Sequence, residues 1–292
     1  MINRLAVIGV GLIGGSLALA LRRRGEVGEI VGCGRQRENL ETAVRKGIID
    51  RYETSPERAV GGADMVVLSM SLGSTGDILR TIGGVIDNGA TVTDVGSVKG
   101  PVIEEARTAL GDTFPNFVAG HPIAGTEHSG ADAAFATLYE NHKVILTPSE
   151  DTDPVAIERV STMWEQAGAE VVQMPAELHD AALAATSHLP HLLAYALVEV
   201  LASRDDSDSI FAFAAGGFRD FTRIASSNPG MWTEICLANK APLAQVCQQF
   251  AERLDTLREA LDANDAETLR EIFERARDAR EACLIPESNE PR

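Results

Sequence analysis

The first 25 residues constrain this chain most. Arg4 to Ile8 reads as a buried strand, Gly9-Val10-Gly11-Leu12-Ile13-Gly14 follows at once, and Leu12 to Arg24 has helical spacing that stops at Gly25. A strand that breaks into a glycine turn and opens a helix is the context in which G-x-G-x-x-G holds a dinucleotide. Gly9 permits the tight turn, Gly11 lets the backbone approach a pyrophosphate, and Gly14 lets helix and strand pack closely. The helix start, at Leu12 and Ile13, offers phosphates unpaired N–H groups and a positive dipole end, so no basic side chain is required there.

The strand after this helix, Glu29 to Gly32, ends in Cys33-Gly34-Arg35. Gly34 stands where an acid about 20 residues after the glycines would hold the adenosine ribose of NAD. Without a carboxylate to repel a 2′-phosphate, and with the Arg35 guanidinium able to bind it, NADP is favoured and NAD is the alternative.

Further apolar strands are expected at Met65 to Ser69, Ala90 to Val95 and Phe117 to Ala119, with helices near Glu38 to Lys46, Gly76 to Val85 and Pro101 to Leu110. Val144 to Thr147 and Glu170 to Gln173, with a helix from Pro154 to Ala167 between them, read as closing strands of the same sheet. The alternation predicts an α/β, Rossmann-like doubly wound sheet as a first domain, residues 1–175. Its ligands belong at the carboxyl ends of strands, where three loops converge. They are Ser69-Met70-Ser71, Asp94-Val95-Gly96-Ser97-Val98-Lys99-Gly100, and Gly120-His121-Pro122-Ile123-Ala124-Gly125-Thr126-Glu127.

From Glu177 onward helical periodicity has no competitor, so residues 176–292 form an all-helical second domain. Leu243, Val246, Cys247, Phe250, Leu254, Leu257 and Leu261 recur three or four apart, and Leu269, Ile272, Phe273 and Ala276 repeat the stripe. Asn264 is placed to cap the second of these helices, with Glu267 closing a capping box. Such long amphipathic helices bury a face either within the chain or in a homodimer. Earlier in this domain, Thr186-Ser187-His188-Leu189-Pro190-His191 reads as a helix start carrying two histidines. Arg219 and Arg223, four apart after Gly216-Gly217, would share a helix face as an anion clamp.

The net charge of −17 argues against binding nucleic acid or an anionic membrane. No signal-peptide pattern and no apolar run near the roughly 20 residues of a membrane span are read, so a cytoplasmic protein is expected. Cys33, Cys236, Cys247 and Cys283 stand far apart, as reduced thiols would, and no metal-ligand spacing is found.

Five motifs taken together resemble the prephenate/arogenate dehydrogenase family, in particular its bacterial cyclohexadienyl dehydrogenases. They are Gly9 to Ser16, Thr93 to Lys99, Gly120 to Glu127, Thr186 to His191 and Gly217 to Ala225, and they span nearly the whole chain in the family's order. The run Ser69-Met70-Ser71-Leu72-Gly73 departs from the Pro-containing loop expected there.

The resemblance implies oxidative decarboxylation of prephenate or arogenate in tyrosine biosynthesis, with NAD(P) as hydride acceptor. It implies a helical domain that forms the dimer. It assigns His121 as base, with Ser97 orienting it or the substrate hydroxyl, and Arg223 to a substrate carboxylate, with Arg219, His188 and His191 nearby. Thr126 and Glu127 line the pocket, and Gly9, Gly11, Leu12, Ile13, Gly14, Gly34, Arg35 and Ser69 meet the cofactor. No ACT-type regulatory module is expected. One competing reading, a two-domain NADP dehydrogenase of the β-hydroxyacid type, calls for a lysine early in the second domain, and none lies between Lys143 and Lys240. A silent dinucleotide sensor is the other alternative, and it gives no reason to hold His121, Ser97 and Arg223 together.

Overall fold

A computed structural model describes residues 1–126 and 128–284. By compactness the chain divides into two units, Met1–Pro242 and Leu243–Arg292.

The first unit is built on a six-stranded sheet whose neighbouring strands all run parallel. Its strands are β1 (Ile2–Ile8), β2 (Val27–Cys33), β3 (Arg51–Glu53), β4 (Met65–Leu68), β5 (Thr91–Asp94) and β6 (Phe117–Val118). They lie in the order β3-β2-β1-β4-β5-β6, which reverses direction between β1 and β4. Helices α1 (Leu12–Arg24), α2 (Arg37–Arg45), α3 (Pro56–Val60), α4 (Thr75–Gly83) and α5 (Gly100–Leu110) make the crossovers. Strand alternation sorts the core into two layers. Leu5, Val7, Met65 and Val67 join one apolar cluster, and Ala6, Ile8, Val66 and Leu68 the other, so each sheet face is covered.

After β6 the sequence expectation is corrected. The later strands form a separate three-stranded sheet of β7 (Gly120–Pro122), β8 (Lys143–Leu146) and β9 (Glu170–Gln173), with β7 antiparallel to β8 and β9 parallel to it. The cause is local. The Gly120 amide donates to the Asp94 carboxylate and its carbonyl accepts from Lys99, so at this residue the backbone bonds to side chains instead of continuing the β5–β6 ladder. His121 therefore sits in a short strand, not in a free turn. Helix α6 (Pro154–Gln166), capped by Asp153, connects β8 to β9 and buries Val160, Met163 and Trp164.

The helices that follow pack into this same unit. They are α7 (Ala176–Leu183), α8 (Leu189–Ala202), α9 (Ser207–Phe211), α10 (Gly216–Thr222) and α11 (Pro229–Ala238). His188 and Pro190 do not start a helix. α7 and α8 are continuous through a π-helical turn, Ala184–His188, which widens the backbone just before Pro190, a residue with no N–H to give. The continuous helix Ala176–Ala202 is, against expectation, long and apolar enough by composition to cross a membrane, yet it carries His179, Asp180, His188, His191 and Glu199.

The second unit takes up α12 (Lys240–Asp262) from Leu243 and α13 (Ala266–Leu284). The cap at their junction also differs from expectation. Asn264, at φ 52°, occupies the left-handed position that ends α12, with Asp265 N–H reaching back to Ala260 O. Asp265 is the N-cap of α13, accepting from the Thr268 amide and hydroxyl. Phe250, Leu254, Leu261 and Phe273 are exposed.

Candidate active site

Two constructions stand at the carboxyl ends of neighbouring strands, one where β1 and β4 end and the other where β5 ends. The first is backbone. Gly9 has φ 98°, and a Cβ there would lie 2.3 Å from the Ser69 carbonyl oxygen, so only glycine fits. A Cβ on Gly14 would lie 2.7 Å from both the Gly9 oxygen and a Val7 methyl, which is why α1 can press against β1. Gly11, by contrast, faces open space, and it caps α1 without any side-chain hydrogen bond. The first N–H groups of α1 and the open side of Gly11 fit a pyrophosphate. Leu12 and Ile13 form the first turn, with the Ile13 carbonyl accepting from Tyr139 Oη at 2.6 Å. Ser69 follows β4, its amide bonded to Ile8 O. Gly34 follows β2, and the exposed Arg35 makes no ion pair with a described residue.

The second construction is made of side chains from distant segments. Asp94, at the end of β5, accepts from Lys99 Nζ at 2.5 Å, from the Gly96 amide at 2.7 Å and from the Gly120 amide at 3.1 Å. Lys99 is fully buried and also donates to Gly120 O at 2.7 Å. Burial draws its ammonium below the ordinary lysine range, while the carboxylates of Asp94 and Asp180 oppose this. The pair clamps the strand that presents His121.

His121 Nδ1 lies 2.9 Å from His179 Nε2, and His179 Nδ1 lies 2.7 Å from Asp180 Oδ1. The Asp180 carboxylate also caps α5, accepting from the Lys99 amide at 2.8 Å and the Gly100 amide at 2.9 Å. Burial alone would raise the Asp180 carboxyl. The hydrogen bonds from His179 and from the two amides outweigh it and hold the group below the usual carboxylate range. Burial, then the charge of Lys99, then His179 and His188 push His121 well below its ordinary value, so it is neutral at pH 7.

A third imidazole closes the group. His188 is 1% exposed, and its Nδ1 lies 3.0 Å from Asn239 Nδ2, which also donates to the Asp180 carbonyl at 2.8 Å. Burial lowers His188 to about 4. His188 meets Trp232 edge-on, and His191 stacks on the same indole with ring centroids 3.5 Å apart. His191 is lowered by burial and, to a lesser extent, by the charge of Arg223, against the opposing hydrogen bond to the Ser187 carbonyl. The Arg223 charge is therefore within electrostatic range of His191.

The remaining expected residues are placed as follows. Ser97 lies in the turn before α5, and the ring partner of His121 is His179, not Ser97. Thr126 is exposed and its hydroxyl accepts from the His128 amide; Glu127 lies outside the described residues. Arg219 and Arg223 are exposed and unpaired among the described residues. They do not share a continuous α-helix, because α10 ends at Thr222 and Arg223 opens a 3-10 turn that redirects the chain towards Asn228-Pro229. The departing loop after Ser69 is tied to α11 by the Gly73 amide, which donates to Glu234 Oε2 at 2.9 Å. His179, Asp180 and Asn239 were not found from sequence, although an adjacent His-Asp pair on an otherwise apolar helix was a usable signal.

A glycine turn that fits a dinucleotide, together with a neutral imidazole held through His179 by a carboxylate, points to a dinucleotide-dependent oxidoreductase. Comparison with known proteins narrows this. Residues 17–173 match the prephenate dehydrogenase nucleotide-binding domain and residues 175–275 the prephenate dehydrogenase dimerization domain. The chain is 36% identical to a prephenate dehydrogenase of Bacillus subtilis over 98% of its own length and 77% of the relative's. It is 35% identical to a cyclohexadienyl dehydrogenase of Zymomonas mobilis over 95% of each. Among solved structures, prephenate dehydrogenase from Aquifex aeolicus, in complex with hydroxyphenyl propionate and NAD+, superimposes with a TM-score of 0.90 at 39% identity, covering 97% of this chain and 99% of that one. The chain belongs to the prephenate dehydrogenase family and is an NAD(P)-dependent dehydrogenase, consistent with oxidative decarboxylation in tyrosine biosynthesis.

Proposed function

We propose that this protein oxidises and decarboxylates prephenate, arogenate or both, with His121 as the base. The observation that carries this reading is the His121–His179–Asp180 chain of hydrogen bonds, 2.9 and 2.7 Å long, in a chain whose first strand ends in a glycine cradle. Gly9, Gly11, Gly14 and the start of α1 would hold the dinucleotide, which when bound supplies the hydride acceptor.

The substrate's C4 hydroxyl gives its proton to His121 as hydride leaves C4, and a carbonyl forms. The bond from C1 to its carboxylate then breaks, CO2 departs, and the electron pair aromatises the ring. The new phenol oxygen takes back a proton, so His121 ends as it began. Arg223 would bind a substrate carboxylate beside His191, with Arg219 and His188 near it, and Thr126 and Glu127 would line the pocket. Ser97 would meet the hydroxyl. Gly34 and Arg35 support NADP over NAD.

In this reading residues 1–175 bind the nucleotide and 176–292 serve substrate binding and dimerisation, in a cytoplasmic homodimer. The exposed Phe250, Leu254, Leu261 and Phe273 support a partner surface, as does the match to a dimerization domain. The test is the initial rate of reduced-nicotinamide formation with prephenate and arogenate, each against NAD and NADP. Turnover in at least one pair is expected, fastest with NADP; silence in all four, with cofactor bound, would remove the reading.

A further inference from the structure

Asp180 is used twice. Its carboxylate accepts from His179 Nδ1, and its backbone carbonyl accepts from Asn239 Nδ2, at 2.7 and 2.8 Å. Each contact starts a chain of hydrogen bonds that ends on a different histidine, and with neutral rings the donor and acceptor roles along each chain have one solution.

Along the first, the carboxylate can only accept, so His179 carries its proton on Nδ1. With a neutral ring, His179 then offers a lone pair at Nε2, and His121, 2.9 Å away, donates from Nδ1. The proton of His121 is spent on this bond, and its Nε2 is left bare. Along the second chain, a backbone carbonyl can only accept, so the Asn239 amide nitrogen faces it. The same nitrogen lies 3.0 Å from His188 Nδ1, which must then accept. His188 therefore carries its proton on Nε2, a buried atom with no hydrogen-bond partner among the described residues.

We infer that His179, Asp180 and Asn239 are positioning residues that lock His121 and His188 in opposite tautomers, giving the site one bare imidazole nitrogen and one imidazole N–H. The bare His121 Nε2 suits a group that takes a hydroxyl proton. The His188 Nε2–H suits an oxygen acceptor on the substrate, and the carboxylate class fits best because His191, which stacks on the same Trp232 that His188 meets edge-on, lies within range of the Arg223 charge. Part of this inference rests on the proposed role of His121, but the tautomers themselves do not.

The test is a two-bond proton–nitrogen NMR spectrum of the full chain labelled with 15N-histidine, in which protonated and bare ring nitrogens resonate far apart. His121 is expected with its proton on Nδ1, the form that imidazole in water favours less, and His188 with its proton on Nε2. His179→Met should release His121 alone, and Asn239→Leu should release His188 alone. In kinetics, His179→Met should lower kcat by about 10–100-fold with KM within about threefold, as expected when a base loses the group that orients it. His179→Gln, whose side-chain oxygen can still accept from His121 Nδ1, should recover most of that loss. A wild-type His121 protonated on Nε2, or a His179→Met variant that keeps both tautomers and its kcat, overturns the inference. Correct tautomers in a protein that turns over neither prephenate nor arogenate would uphold it and remove the proposed function instead.

Discussion

The proposed cofactor end and the proposed substrate end of this site are built from opposite materials. The cofactor end is almost all main chain: Gly9, Gly11, Gly14 and the bare start of α1 lie within six residues, and their geometry follows from the absence of side chains. The substrate end is almost all side chain, drawn from β5, β7, α7, the π-helical turn and the residue before α12, positions from Asp94 to Asn239. A main-chain site is fixed by local turn chemistry. A side-chain site in a low-dielectric interior stands only if every polar group is paired, so each residue in it depends on the others.

This contrast can be tested where it should be sharpest. Replacing His121 with Asn should leave substrate binding near wild type and lower kcat by about 10²–10⁴-fold, the usual worth of a positioned base, in steady-state kinetics. A near-normal kcat would mean that the side-chain end is not where the chemistry happens. Lys99→Met should cost about 3–5 kcal/mol of folding stability in urea denaturation, because it strands the buried Asp94 carboxylate. A loss near zero would show that the clamp under His121 is not a unit.

Acid should expose the same dependence. His188 titrates at about 4 when folded, against about 6.5 in an unfolded chain, so between these values the unfolded state binds a proton that the folded state refuses. Stability should therefore fall as pH drops, by about 2 kcal/mol between pH 7 and pH 5 from this residue, and His121 acts in the same direction. Urea midpoints at the two pH values read this directly, and an acid-insensitive midpoint would place both imidazoles in water. At the cofactor end, Gly9→Ala forces a left-handed backbone and a clash with Ser69 at a cost of roughly 1–3 kcal/mol. Its mark should be weaker cofactor binding by calorimetry, with the His121 tautomer unchanged; a change in both would show that the two ends are coupled.

The same division explains what could be read without a structure. Gly9 to Gly25 was legible because strand, turn and helix are consecutive and each has a local cause. His121, His188 and His191 were legible as candidates because Gly and Pro neighbours or a repeated motif marked them. The partner of His121 was not: His179 lies 58 residues away on an apolar helix, where it reads as an ordinary core histidine. The π-helical turn was missed because Pro190 looks like a helix start when the 14 residues before it cannot be seen to be helical, from Ala176 to Leu189. β7 was missed for a related reason, since Gly120 leaves one sheet for another only because Asp94 and Lys99 capture its amide and carbonyl.

Sequence by itself determined the doubly wound parallel sheet, the glycine turn at its centre, the helical second half and the residue types available for catalysis. Periodicity, glycine placement and charge act over a few residues and need no partner to be read. Tertiary structure alone decided that strands 120–122, 143–146 and 170–173 form a second sheet, that His179 rather than Ser97 holds His121, and that Asp180 governs two imidazoles at once. Those outcomes depend on which buried donor finds which acceptor across up to 81 positions of chain, and that pairing is settled only when the interior excludes water.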